Sequence, residues 1–289
     1  MSTLIDLRRR IRSVQNSRQI TQAMKTVSTA KFRKAQRAVL EARPFWHLFP
    51  EVAGRLARWI SAAAHPLLLQ RDERRIAALV VTSDKGLAGA YNSNLLAAAD
   101  AFLAEKERTA SVRLALVGKK AAAHFRRRPY PVDLAFGDRT DRLTRAELRG
   151  LAERLMRDYA FLRTDAVYIV ANEFKSILAP RIAIRRVLPL EPAAGAGEAG
   201  ALRPDWEPGE RELAAALLPL YVESQVVRAF HESQAAEQAA RMMAMDNATK
   251  NAEELIDDLV LQLNKIRQAG ITKELLEIMT AVEALKQNA

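Results

Sequence analysis

The chain has 289 residues, of which 49% are hydrophobic and only 6% aromatic, enough apolar material for one large domain or two smaller ones. It contains no cysteine, which excludes disulfides, thiolate metal sites and cysteine nucleophiles. Four histidines are present, and none lies at metal-ligand spacing from another: His47, His65, His124 and His231. We therefore expect no metal site built from cysteine or histidine.

The net charge of +11 is distributed unevenly along the chain. Residues 1–43 carry eleven basic and two acidic side chains, whereas residues 234–289 carry six basic and nine acidic ones. No apolar run reaches the roughly 18–20 residues that span a bilayer. The N-terminus has no apolar core before a cleavage site, so it does not resemble a secretory signal. We expect a protein of the cytosol or of the cytosolic face of a membrane.

Residues 3–43 predict one long helix, because they contain neither glycine nor proline. Pro44 and Pro50 are expected to interrupt it, with a shorter helical continuation up to residue 60. The apolar residues form a drifting amphipathic stripe rather than a strict heptad. Its members are Leu4, Leu7, Ile11, Val14, Ile20, Met24, Val27, Phe32, Ala35 and Val39.

The middle of the chain, residues 75–190, alternates short apolar runs with helical stretches. Strands are predicted at 76–83, 112–118, 131–136, 165–174 and 181–190, and helices at 93–108, 119–128 and 144–162. This βαβ alternation predicts a compact α/β domain with a mostly parallel sheet. Residues 191–207 are rich in glycine, alanine and proline and are predicted to form a flexible loop.

The loop that contains Gly86 and Gly89 follows the first predicted strand, where α/β proteins often bind a phosphate. Ala90 and Tyr91 follow Gly89, whereas a Walker loop needs Gly-Lys-Ser/Thr, and the three glycines of a dinucleotide loop are missing. We interpret the loop as a tight connection into a helix. The candidate caps for that helix are Asn92, Ser93 and Asn94. The neighbouring Ser-Asp-Lys run has no histidine nearby to complete a catalytic triad, and we predict no catalytic residue.

The last segment, residues 208–289, predicts a second long helix. Pro208 suits its first turn, and Pro219 is expected to kink it. A coiled-coil seam with alternating spacings of three and four follows. It comprises Met242, Met245, Thr249, Ala252, Ile256, Leu259, Leu263 and Ile266. Beyond Gly270 the apolar stripe resumes one step out of phase, at Ile271, Leu275, Ile278, Val282 and Leu285.

Two terminal helices that each carry one apolar stripe are expected to pack on each other, antiparallel if the middle domain connects them. At 1.5 Å per residue the first helix is roughly 60 Å long and the last roughly 110 Å. Part of the longer helix therefore has no partner within the chain. An exposed stripe of that size normally has a binding partner, so the final helical turns are predicted to need one.

Four stretches of this sequence resemble the gamma-subunit family of F-type ATP synthases. They are "RRRIRSVQNSRQITQAMKTVSTAKFRKAQ" (8–36), "TSDKGLAGAYNSNL" (82–95), "LLPLYVESQV" (217–226) and "AARMMAMDNATKNAEELIDDLVLQLNKIRQAGITKELLEIM" (239–279). The resemblance extends from about Thr3 to Leu285. The sequence departs from the family at Thr280, Ala281 and Val282, where Gly-Ala is usual, and at Ala88 and Ala90, where cysteine and glycine are more frequent.

The resemblance implies a fold of mixed α+β and α/β character. The N-terminal shaft helix (1–60) and the C-terminal shaft helix (208–289) would form a long antiparallel coiled coil. A Rossmann-like α/β foot domain (75–190) and a loop (191–207) would lie between them. The implied protein is a non-catalytic central-stalk rotor without a cofactor. Its partners would be the alpha and beta subunits of the hexamer, the epsilon subunit and the membrane c-ring, on the cytoplasmic side of a bacterial inner membrane.

The resemblance also assigns contact residues. Arg267, Gln268 and Thr272 match a motif that contacts the beta subunits, and Met24 and Lys25 match a position near an acidic beta-subunit loop. The basic first helix would face acidic surface of the hexamer. Residues 195–204 are a looser candidate for contact with the ring and the epsilon subunit. The apolar residues expected to seat in a collar of the hexamer are Ile271, Leu275, Ile278, Val282 and Leu285.

Two other functions remain open at this point. The basic helix is also compatible with a nucleic-acid-binding protein, which would show strong, salt-sensitive affinity for DNA. The middle domain is compatible with a nucleotide-dependent enzyme that carries a coiled-coil appendage, which would melt at a different temperature with a nucleotide present. Co-purification with two larger ATPase subunits would distinguish the rotor from both.

Overall fold

The computed structural model describes residues 4–60, 65–138, 140–177, 180–190, 207 and 209–287, without the side chains of 180 and 282–287. Its helices are α1 (Leu4–Trp59), α2 (Tyr91–Glu107), α3 (Lys119–Phe125), α4 (Arg145–Ala160) and α5 (Glu210–Gln287), with a 3-10 turn at Pro66–Leu68. Its strands are β1 (Arg75–Val81), β2 (Ser111–Val117), β3 (Val132–Phe136), β4 (Ala166–Phe174) and β5 (Pro180–Leu188). The loop predicted at 191–207 lies almost wholly outside the described residues, as does Pro208.

The chain divides into two compact units, one of residues 1–27 with 242–289 and one of residues 28–241. In the first unit α1 and α5 pack antiparallel, as predicted. Leu7 and Ile11 are buried against Leu259, with Val14 and Leu263 packed around them. The seam predicted on α5 is therefore confirmed up to Leu263.

The stripe predicted on α1 is wrong at Ile20 and Val27, which are 61% and 57% exposed. The heptad of α1 continues from Val14 through the polar residues Arg18, Thr21 and Lys25, which contact polar side chains of α5. A pattern of apolar residues alone therefore drifts. The contacts are Arg18–Glu253 at 3.9 Å, the hydroxyl oxygens of Thr21 and Thr249 at 2.9 Å, and Lys25–Asp246 at 2.5 Å. Polar pairs inside a coiled coil specify its register at some cost in stability.

In the second unit α1 continues through Pro44 and Pro50, so the predicted interruption is wrong. Each proline inside a helix costs about 3 kcal/mol. The helix nevertheless persists because one face of its last turns is buried, at about 2 kcal/mol per large side chain. The buried large residues on that face are Trp46, Phe49 and Leu56, and Ile60 directly after the helix is buried as well.

The sheet has the strand order β3-β2-β1-β4-β5, and the first four strands are parallel. Only β5 is antiparallel, beside β4. Alternate residues of each strand point to opposite faces. Ile76, Ala78 and Val80 of β1 therefore pack with α2 and α3, whereas Leu79 and Val81 pack with α1, α4 and α5. The predicted α/β architecture with a mostly parallel sheet is confirmed.

The first half of α5 is unusually apolar because it packs on this sheet. It continues through Pro219 as one helix. One 18-residue window of α5 has a mean hydropathy of 1.3, enough by length and composition to cross a membrane, and 56% of that window is buried inside the fold. We expected no segment long and apolar enough to span a bilayer, and by composition α5 contains one. Leu218, Val222 and Val226 of α5 are buried in the core on this sheet.

Leu56 and Leu48 offer a matched test of the helix that continues past the prolines. Leu56 is 1% exposed and Leu48 is 62% exposed on the same helix. We expect Leu56→Ala to lower the free energy of unfolding by about 3 kcal/mol, because it leaves a cavity in the core. Leu48→Ala should change it by less than about 0.5 kcal/mol. Urea titration followed by circular dichroism measures both, and equal losses would contradict the burial of this helix face.

Candidate functional site

The crevice at the carboxyl ends of β1 and β4 is the place where a ligand would be expected in this sheet. Open α/β sheets bind ligands where the strand order reverses, which here lies between these two strands. Side chains of α5 fill this crevice. The Tyr91 hydroxyl donates to the Ser233 backbone carbonyl at 3.1 Å, and the Asn172 backbone N–H donates to the Ser233 hydroxyl at 3.2 Å. Ala88, Tyr91 and Ala236 are buried together.

The carboxylate of Asp84 lies where a phosphate group often binds, at the start of the helix that follows β2. It accepts hydrogen bonds from the amides of Lys119 at 2.9 Å, Asp138 at 3.0 Å and Thr140 at 2.7 Å, and from the Thr140 hydroxyl at 2.6 Å. Burial raises the pKa of Asp84, but these hydrogen bonds outweigh it and leave the pKa below its usual value. The chain thus supplies its own anion at this position.

Gly118 explains how the loops before α2 and α3 come so close together. Its φ is +99°, and a Cβ atom there would lie 2.5 Å from the carbonyl oxygen of Thr82. Only glycine fits such a conformation and such an approach. Sequence reasoning concentrated on Gly86 and Gly89 and missed this glycine, although it also follows directly after a predicted strand.

The loop around Gly86 is held by a buried ion pair of α5. Arg241 contacts Glu237 at 2.7 Å and donates to the carbonyl oxygens of Gly86 at 3.2 Å and Lys85 at 3.3 Å. Burial raises the pKa of Glu237, and the nearby Arg241 only partly opposes that shift. The loop is therefore anchored to α5, and Leu87 at its tip stays 62% exposed with a φ of 59°.

The predicted cap of α2 is wrong. The helix begins at Tyr91, and its N-cap residue Ala90 makes no side-chain hydrogen bond. Asn92 instead bonds to Ser83 at the end of β1, where its Oδ1 accepts from the Ser83 amide at 3.2 Å. The strand-to-helix connection is tight, as we expected, but its polar side chains fasten the loop rather than the helix end. Among the described residues no group of three or more histidine or acidic side chains is placed to hold a metal.

The residues predicted to contact partners lie in the first unit, along α1 and the last part of α5. Met24 is half-buried, and Lys25 already pairs with Asp246 within the chain. Arg267, Gln268 and Thr272 are exposed, and the Thr272 hydroxyl donates to the Gln268 carbonyl at 2.9 Å. The side chains of Arg267, Gln268 and Thr272 are thus accessible to a partner, whereas Lys25 forms an ion pair within the chain.

The final turns of α5 have no partner among the described residues, since α1 begins at Leu4 and packs near Leu259. Residues 264–287 amount to about 36 Å of helix. Ile271, Leu275 and Ile278 are 48%, 58% and 61% exposed. Sequence reasoning missed Leu276 and Met279, which are 58% and 65% exposed and widen the apolar surface beyond one stripe. The side chains of Val282 and Leu285 lie outside the described residues.

These features define a class of protein. An antiparallel pair of terminal helices ends in an exposed apolar surface, and a Rossmann-like unit has its ligand crevice filled by its own chain. Such a protein offers surfaces for binding, and its α/β unit serves as a support.

Comparisons with known proteins identify the family. A family model described as ATP synthase matches residues 3–285. The chain is 42% identical over 290 residues to the ATP synthase gamma chain of Anaeromyxobacter sp. (strain Fw109-5), covering 99% of this chain and all of that one. It is 40% identical over 286 residues to the ATP synthase gamma chain of Pelotomaculum thermopropionicum, again covering 99% of this chain and all of the relative. The chain therefore belongs to the ATP synthase gamma-chain family.

Solved structures share the fold at lower identity. A chain of the Euglena gracilis mitochondrial ATP synthase, in a structure of its OSCP, F1 and c-ring in rotational state 3, superposes with a TM-score of 0.65 at 20% identity. That match covers 98% of this chain and 94% of the other. A chain of the central stalk and c-ring of the Tetrahymena thermophila mitochondrial ATP synthase gives a TM-score of 0.60 at 21% identity, over 79% of this chain and 99% of the other.

Asp84 gives a prediction with a defined dependence on pH. A carboxylate whose pKa is lowered by folding stabilises the protein above its unfolded pKa of about 3.9, and this stabilisation is lost as the pH falls through its folded pKa. We expect Asp84→Asn to lower the free energy of unfolding by about 2 kcal/mol at pH 7. The difference from the unmodified chain should shrink below about pH 4.

Urea titrations at pH 7, 5 and 3.5 measure this difference. Asp72→Asn is the matched control, because the Asp72 side chain is 83% exposed. A difference for Asp84→Asn that stays constant across this range would contradict the role assigned to its charge.

Proposed function

We propose that this chain is the central-stalk rotor of an F-type ATP synthase. It would transmit rotation of a membrane c-ring to the catalytic sites of an alpha/beta hexamer, and would perform no chemistry itself. The full-length likeness to proteins named ATP synthase gamma chain supports this proposal, as does the likeness to chains in rotor structures. The feature of this chain that carries the proposal is the exposed apolar end of α5, which needs a surrounding partner.

The proposed contacts follow the accessible residues. The apolar surface of residues 271–279 would seat in an apolar collar at the top of the hexamer, together with Val282 and Leu285. Arg267, Gln268 and Thr272 would bond to the beta subunits. The exposed arginines of α1, which include Arg8, Arg9 and Arg10, would face acidic surface of the hexamer.

Lys25 pairs with Asp246, so its proposed contact with an acidic beta-subunit loop would share the ammonium with that carboxylate. Met24 beside it would add apolar contact.

A rotor couples distant catalytic sites only if it contacts them differently as it turns. That requires a shaft (1–60 with 208–289) that resists twisting and a foot (75–190) fixed to the ring. Polar partners at heptad positions, such as Thr21 and Thr249, favour one register of the two helices, which suits this role. We also propose the epsilon subunit and the c-ring as partners of the foot, and a location on the cytoplasmic side of a bacterial inner membrane.

The two other functions lack comparable support. A nucleotide-dependent enzyme needs a free crevice at the switch point of the sheet, and here Ser233 and Ala236 of α5 lie in it. A DNA-binding function for α1 has only the positive charge of that helix in its favour.

Removal of the chain from Ile271 onward tests the seating. We expect the truncated chain to keep its α/β unit, since no residue of the 28–241 unit is removed. Its recovery with co-expressed alpha and beta subunits should fall at least tenfold. Affinity purification through a tagged beta subunit gives the recovery, and a urea titration gives the stability. Equal loss of both properties would contradict the proposal.

Point substitutions separate seating from folding more sharply. Leu275→Asn with Ile278→Asn should weaken recovery with the hexamer, because each buries a polar amide in an apolar collar. Leu48→Asn is the control, since Leu48 is equally exposed but lies elsewhere, on α1. Recovery that is the same for both variants would argue against a collar around the end of α5.

A further inference from the structure

One edge of the sheet carries both a basic and an apolar surface. β1 to β4 are parallel, so their first residues share this edge. Helices α2, α3 and α4 each run back from the opposite edge and end here. Helices α2 and α3 lie on the same face of the sheet, so the turns after them are neighbours. The Tyr130 hydroxyl, after α3, donates to the Glu107 carboxylate, at the end of α2, at 3.0 Å.

Arginines dominate the turn after α3. Arg126, Arg127 and Arg128 are consecutive and exposed, and with His124 they line an open cleft of about 560 Å³. The nearby Asp100 already accepts from Arg128 at 2.9 Å and lies 2.9 Å from the His124 ring.

Arg108, in the adjacent turn after α2, adds another exposed positive charge to this edge. Within the part of the chain that the structure describes, no carboxylate pairs with Arg108, Arg126 or Arg127. These three guanidinium groups are accordingly available to an outside anion.

Large apolar side chains project from the turn after α4, on the same edge. Phe161 and Leu162 are 68% and 54% exposed. Leu162 has a φ of 59°, at the end of a helix where glycine is usual because a side chain there is strained. Leu162 is therefore exposed to solvent in a strained backbone conformation. β4 and β3 are three strand spacings apart, about 14 Å along the sheet, and α4 packs on the opposite face of the sheet from α3. The apolar tip and the arginine turn therefore share this edge but lie on opposite sides of the sheet.

We propose that this edge, formed by Arg108, Arg126, Arg127, Phe161 and Leu162, binds the surface of a membrane that contains anionic phospholipid. Guanidinium groups pair with phosphate oxygens through two parallel hydrogen bonds. Exposed aromatic and aliphatic side chains enter the boundary between headgroups and acyl chains. An acidic protein surface or free phosphate would use the arginines and leave the apolar tip in water. An anionic membrane surface uses both features.

We expect the affinity of this edge for the membrane to be weak, because it carries only three unpaired arginines. Each arginine close to an anionic membrane raises partitioning about fivefold, and the attraction decays within a Debye length of about 8 Å at physiological ionic strength. Three unpaired arginines therefore contribute a factor on the order of one hundred. Such an edge would hold the protein at a membrane only when other contacts bring it there, as the proposed rotor assembly would.

A single reporter at Leu162 tests the proposal on the isolated full chain. The chain lacks cysteine, so Leu162→Cys can be labelled alone with a polarity-sensitive fluorophore. We expect its emission to shift to the blue with vesicles of phosphatidylglycerol and phosphatidylcholine, and to stay unchanged with phosphatidylcholine alone. Gln19→Cys, at an exposed position on the basic α1, is the matched reporter for adsorption through that helix.

Charge variants complete the test. Arg126→Gln with Arg127→Gln should lower the lipid dependence of the Leu162→Cys signal at least tenfold, whereas Arg8→Gln with Arg9→Gln should leave it within twofold. A signal at Gln19→Cys alone would show adsorption through α1 and overturn the proposal. Suppression of the signal by 20 mM inorganic phosphate, but not by sulfate at the same ionic strength, would indicate a free-phosphate site and also overturn it. No partner subunit is needed, so failure would leave the proposed rotor function untouched.

Discussion

The second unit depends on the first half of α5 occupying the crevice at the end of β1 and β4. Ser233 completes hydrogen bonds from Tyr91 and Asn172, and Arg241 fastens the loop around Gly86. In an open α/β sheet this is the place for a ligand, and here the space belongs to the chain itself. The sheet therefore supports α5, which occupies the crevice itself.

The sequence predicted those parts of the fold that a short-range hydrophobic pattern specifies. The heptad from Met245 to Leu263 and the alternation of strands and helices between 75 and 190 report directly on burial, and both agree with the structure. The end of the coiled pairing was also predictable, because a helix as long as α5 cannot be covered by the shorter α1.

The errors arose where tertiary contacts override a local rule. Pro44 and Pro50 break helices in isolation, but the burial of Trp46 and Leu56 outweighs their cost. Polar residues at Thr21 and Lys25 continue a heptad that a search for apolar residues loses, since their partners on α5 are distant in sequence. The hydrogen bonds of Asn92 with Ser83, and of Asp84 with three backbone amides, form between loops that come together only in the folded chain.

The partner-facing residues divide in the same way. The exposure of Arg267, Leu275 and Ile278 follows from helix length, and the sequence indicated it. The internal pairing of Lys25 and the additional exposed residues Leu276 and Met279 required coordinates. The accessible helix end leaves an apolar surface that a surrounding partner would cover.

Rotation of the chain inside an immobilised alpha/beta hexamer tests the central claim most directly. Gly150 on α4 is exposed and has open space around it, so Gly150→Cys provides a single attachment point for a bead in this cysteine-free chain. We expect the bead to turn in one direction while the hexamer hydrolyses ATP. A bead that remains stationary while the assembled complex hydrolyses ATP at its full rate would contradict it.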